Sequence, residues 1–175
     1  MSTIIIAAVL ILVIISICLI LISLNNKDRQ KATTELLTHF SKLGTENNLS
    51  FSSQEILQNS IIGLDGIQKK LLILKKNDED KYDSLVLDLK DMKSCSKKKI
   101  YRSVNVGIGK KQKFENQIDK IVLAFDFVDN RQPIHISFFD PATNHVFRML
   151  ELEQRADNWE TILTKLLNTN MKKIA

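Results

Sequence analysis

The stretch IIIAAVLILVIISICLILISL, Ile4 to Leu24, contains no charged residue, no proline and no glycine. A helix rises about 1.5 Å per residue and a bilayer core is about 30 Å thick, so roughly 20 apolar residues suffice to cross it. A cleaved secretory signal needs a basic leading region, a shorter apolar core and a small-residue cleavage site. Here Met1-Ser2-Thr3 carries no Lys or Arg, and Asn25-Asn26-Lys27 stands where small residues are needed. A lipoprotein signal needs a small residue before the cysteine, whereas Ile17 precedes Cys18. The stretch therefore predicts an uncleaved transmembrane anchor over residues 1–26. Lys27, Arg29 and Lys31 all follow it, which places the N-terminus outside and the rest of a single-pass cell-membrane protein in the cytoplasm.

About 150 residues remain after the anchor, enough for one domain with its own core. The formal net charge is +5 and every charged residue follows the anchor, so a basic domain would face an anionic leaflet. Of the two cysteines, Cys18 lies in the apolar stretch and Cys95 stands alone in the domain, so no disulfide forms within it.

Ala32, Leu36, Phe40 and Leu43 recur at helical spacing, with Leu37 beside them. They predict an amphipathic juxtamembrane helix that Gly44 ends, and with the polar stretch Thr45 to Ser50 as a linker this segment covers residues 27–50. From residue 51 the pattern changes to short runs separated by turn residues, as in antiparallel β structure. The first run is Glu55 to Leu64, joined through a tight Asp65-Gly66 turn to Lys69 to Lys76. Ser84 to Lys90 follows, with Leu85, Leu87 and Leu89 on a buried face, and then Lys99 to Val106. After the basic loop Gly107 to Lys113, Ile121, Leu123, Phe125 and Phe127 share one face of the clearest strand. Pro133 to Phe139 and His145 to Leu150 complete seven runs. Leu152, Ala156, Trp159, Leu163 and Leu166 then return to helical spacing.

Seven antiparallel strands followed by a helix that carries the single Trp, in Ala156-Asp157-Asn158-Trp159-Glu160-Thr161-Ile162-Leu163, resemble the pleckstrin-homology-like superfold over residues 51 to 168. The resemblance implies an α+β fold after the transmembrane helix: a seven-stranded antiparallel barrel or bent sheet capped by the C-terminal helix, over residues 51–175, with Trp159 as a structural plug. Such domains bind acidic headgroups through basic residues near the first hairpin and the third and fourth strands. In this chain the first turn, Leu64-Asp65-Gly66-Ile67, is acidic, and the basic cluster is Lys93, Lys97, Lys98 and Lys99 with Arg102. Those five are the candidate site for an anionic lipid headgroup or a protein partner. Pilin-like subunits also join an apolar helix to an amphipathic helix and a sheet, but their Gly before the apolar stretch and Glu near its start are missing.

His39, His135 and His145 lack metal-ligand spacing, and no cofactor is expected. Lysines near Cys95 would acidify its thiol, but no His adjoins it, and a half-buried structural thiol is the expected role. Gly107-Ile108-Gly109-Lys110-Lys111 lacks the spacing of a phosphate loop. Nucleic-acid binding would need exposed aromatics, whereas Phe125, Phe127 and Phe138 fall at core positions. The sequence therefore predicts a non-enzymatic adaptor domain at the cytoplasmic membrane face. The alternatives are an extracytoplasmic component of envelope assembly or secretion, and an enzyme whose site is scattered along the chain.

Overall fold

The structure, a computed structural model, describes residues 15–16, 30–77, 79, 81–105, 113–129 and 131–171. A helix over residues 30–46, α1, leads into β1 (Ser53–Ile56), β2 (Ser60–Asp65), β3 (Lys70–Lys76) and β4 (Tyr82–Asp88). Then come β5 (Met92–Asn105), β6 (Phe114–Phe127) and β7 (Ile134–Phe139), a 3-10 turn at Val146–Arg148, and α2 (Met149–Met171).

Two features of the expected fold are corrected. Among the described residues no helix is long and apolar enough to cross a membrane. Lys31, Glu35, Lys42 and Glu46 interrupt α1, while Glu151, Glu153, Arg155, Asp157 and Glu160 interrupt α2. The predicted span Ile4 to Leu24 lies outside the described residues except for Ile15 and Ser16, so the transmembrane helix, the single-pass membrane location and the cytoplasmic placement have no support in the structure. The second correction concerns the barrel. The strands form two separate antiparallel sheets, β1-β2-β3-β4 and β5-β6-β7, and no ladder joins them among the described residues.

The strand boundaries also differ from those predicted. Leu57-Gln58-Asn59 divides the first run into β1 and β2, because Leu57 N turns back to bond Ser60 O at 2.8 Å. The expected seventh run contains instead the 3-10 turn and the start of α2, whose Arg148 N bonds His145 O at 2.9 Å. The tight Asp65-Gly66 turn opens into the four residues between Asp65 and Lys70, which pair directly. Lys69 takes the left-handed conformation there, with φ 58°. Residues 106–112, most of the predicted basic loop, lie outside the described residues.

The main core lies between the inner faces of the two sheets and under α2. Ile62, Leu64, Leu71 and Leu87 of the first sheet meet Ile121, Leu123, Phe125 and Phe127 of β6, and Leu152, Ala156, Trp159 and Leu163 of α2 close over them. A second cluster covers the outer face of the first sheet: Leu36 and Phe40 of α1 pack on Ile61, Leu72 and Leu74. The consecutive apolar residues Leu71 to Leu74 follow from this, since a strand buried on both faces has no polar side to present. Two glycines make the contact close. A Cβ on Gly63 would lie 2.4 Å from the Phe40 ring, and one on Gly44 would lie 2.7 Å from the Phe51 ring. Gly44 therefore does not end α1, which runs on through residue 46; it provides a seat for Phe51, whose ring stacks on Phe40 at 4.7 Å.

Candidate functional site

Alternation along β5 divides the predicted basic cluster between two faces. Lys97 and Lys99 pair with Leu123 and Ile121 on the core side, beside α2, and Lys98 pairs with Val122 on the other side. Lys97 Nζ lies 2.9 Å from Glu153 and 2.5 Å from Asp157, and Lys99 Nζ lies 2.7 Å from Glu153. Arg102 is 3.5 Å from Asp119, and Lys93 is exposed at the start of the strand. The structure thus brings Lys97 and Lys99 together but directs them to the helix, while Lys93, Lys98 and Arg102 stand apart.

On the opposite flank of α2, Glu55 of β1 accepts Trp159 Nε1 at 3.2 Å and Arg155 Nη1 at 3.0 Å. Arg155 also donates to Glu151. Carboxylate pairs therefore fasten α2 to an edge strand of each sheet. Sequence reasoning could not find Glu55, because its partners lie about a hundred positions later and nothing in the local pattern marks the pair.

Charge chemistry follows from these contacts. The Glu153 carboxyl is held below its ordinary value of 4.5, first by Lys99 and then by Lys97, against the effect of burial. Its contribution to stability is present above pH 4.5 and is lost as acid takes the pH through the lowered value. For Lys97, burial alone would lower the pKa from 10.5, but Asp157 and Glu153 together outweigh it and raise the value. That contribution is full below pH 10.5 and is lost only above it. Both side chains are partly exposed, at 18 %. Glu153→Gln is accordingly expected to cost about 1 kcal/mol in urea unfolding, and the loss should shrink in concentrated salt. An unchanged unfolding midpoint would show that the pairs do not hold the helix.

Cys95 departs from its predicted chemistry. The nearby lysines do not acidify it; burial, followed by the charges of Glu160 and Asp126, pushes the thiol from 9.0 up to about 12. It is 6 % exposed within the main core. Alkylation read by mass spectrometry of the Cys95 peptide should therefore be slow in the folded chain and fast in denaturant. Equal rates would contradict the burial.

The histidines are scattered: His39 stacks on Tyr82 at 4.2 Å, His135 is exposed on β7, and His145 precedes the 3-10 turn. Among the described residues no three His, Cys, Asp or Glu side chains are grouped to hold a metal ion.

A groove of about 770 Å³ between the ends of the two sheets was not revealed by the sequence. Leu57, Ile73, Leu85, Ile136 and Phe138 supply its apolar surface. On its lining Lys120 of β6 bonds Asp140, which follows the neighbouring β7, at 2.9 Å, and this raises the lysine and lowers the carboxyl from their ordinary values. Lys75 of β3 sits opposite Asp83 of β4 on the same rim. Leu85, expected to be buried with Leu87 and Leu89, is instead 39 % exposed, on the lining of the groove.

No protein-family model, curated protein or solved structure matches this chain.

Proposed function

We propose that the chain is a non-enzymatic interaction domain of pleckstrin-homology-like build, which recruits an extended apolar segment of a partner protein into the groove. The succession of four strands, three strands and a C-terminal helix bearing Trp159 supports the build. The observation that carries the interaction role is the open groove, with apolar side chains from both sheets on its surface. Its rim favours a partner of low charge: Lys120 is already bound to Asp140, and Lys75 faces Asp83. An anionic headgroup would need cations free to meet it, and Lys97 and Lys99 are committed to α2.

Panning a random-peptide display library against the full chain should enrich apolar peptides. Their binding should fall at least tenfold in Ile100→Asp, which places a charge in the groove wall at a position already 40 % exposed. Lys93→Ala, away from the groove, should leave binding unchanged. Enrichment of no sequence, or binding indifferent to Ile100→Asp, would contradict the proposal.

A further inference from the structure

Each sheet ends in two edge strands, and three of the four are protected. β1 has only four residues, and its Glu55 is bound to α2. β5 carries Lys93, Lys97, Lys98 and Lys99, and β7 follows Pro133 and has a register shift against β6. Short strands, lysines, prolines and bulges are the usual means of keeping an edge from pairing. β4 has no lysine, proline or bulge, and its only charges are Asp83 and Asp88 near its two ends. It is seven residues long, without Lys, Pro or Gly, and pairs with β3 in unbroken register.

β4 is also open. Leu85 and Val86, on opposite faces, are 39 % and 38 % exposed. Between Tyr82 and Leu87 its outward backbone groups find no partner among the described residues. The order of its side chains indicates what would pair with it. Laid antiparallel against itself about Leu85, the strand sets Leu85 beside Leu85, Ser84 beside Val86, Asp83 beside Leu87 and Tyr82 beside Asp88. No like charges meet. Each residue keeps its face, since Leu85 and Leu87 stay on the core side and Tyr82 and Val86 stay on the side of α1.

We propose that β4 is an interface between two copies of this chain, joined about a twofold axis at Leu85 into one eight-stranded antiparallel sheet. The contact is isologous and closed, so it ends at a dimer. The edge shares Asp83, Ser84 and Leu85 with the groove lining, so the pairing is tested with no peptide present.

Cysteine placement reads the register directly. Directly opposed residues of antiparallel strands have Cα atoms about 4.5 to 5.5 Å apart, within disulfide range. In the full chain with Cys18→Ser, mild oxidation of Leu85→Cys should yield a species of twice the 20.0 kDa chain mass. Asp83→Cys should yield at least tenfold less, because its two copies would be offset along the strands by about 14 Å. A second pair guards against a defect peculiar to position 85: an equal mixture of Ser84→Cys and Val86→Cys chains should cross-link to each other, and neither should cross-link alone. Equal cross-linking at Leu85 and Asp83, or none in either the Leu85 variant or the mixture, would overturn the interface.

Discussion

Replacing Trp159 by Ala is expected to lower the unfolding free energy by about 3 to 5 kcal/mol. The ring is only 4 % exposed and lies in the main core beside Leu163 and Ala156 of its own helix. Truncation removes its apolar contacts with the sheets and takes the Nε1 donor from Glu55, which keeps only Arg155. Domains of this size have total stabilities of about 5 to 15 kcal/mol, so the variant should melt roughly 10 °C or more below the parent. Urea unfolding followed by far-ultraviolet circular dichroism is the suitable measurement, since the fluorescent reporter is lost with the substitution. Glu55→Gln separates the two contributions: it removes the charge but leaves an acceptor, and it should cost only about 1 kcal/mol. A small effect of Trp159→Ala would mean that α2 is not needed to close the core.

Asp65→Ala is expected to cost about 3 kcal/mol through a different mechanism. Asp65 is fully buried at the end of β2, where its carboxylate accepts Ser50 N at 2.7 Å, Ile67 N at 2.9 Å and Gln68 N at 2.7 Å. The side chain closes the β2-β3 turn and ties it to the segment that leaves α1. Removal takes the charged acceptor from three amide donors at once; Ser50, Ile67 and Gln68 are themselves exposed, so water replaces part of what is lost and the cost is that of the charge-assisted bonds rather than of buried orphaned donors. The bonds from Gln68 and then Ser50 hold the carboxyl below its ordinary value of 3.8, against burial. A lowered carboxylate stabilises the fold above its unfolded pKa, and the benefit disappears as acid brings the pH through the folded value. The stability difference between parent and Asp65→Ala should therefore be full at neutral pH and should narrow below pH 3.8. A pH-independent gap would show that the charge of Asp65 contributes nothing.

What the sequence revealed, and what it concealed, follow from where each contact lies in the chain. The alternation of Ile121, Leu123, Phe125 and Phe127 is legible because β6 is central and one of its faces is solidly core. The stripe with Trp159 is legible because α2 has one apolar side. β2 and β3 are harder to divide, since α1 covers their second face and removes the polar alternation that marks a half-exposed strand. The start of β5 was missed because Met92 to Lys99 presents lysines where core residues would be expected. The stems of Lys97 and Lys99 run beside α2 while their ammonium groups reach Glu153 and Asp157. The basic cluster was visible as a sequence run, but the partners of Lys97 and Lys99 lie more than fifty positions away, so the role of these two as a fastening for the helix was not. The groove was hidden for a related reason: its lining comes from β2 through β7 and the Leu57-Gln58-Asn59 link before β2, and no local pattern joins Leu57, Leu85 and Phe138.

Hydrogen exchange of the full chain, with and without a peptide enriched by panning, tests the central claim most directly. The groove reading predicts that the peptide slows exchange at Leu57 to Ser60, Ser84 to Leu85 and Ile134 to Phe138, all of which line the groove. It predicts no change at Lys93 to Lys99. Protection confined to Lys93 to Lys99 would contradict it and assign recognition to the basic strand.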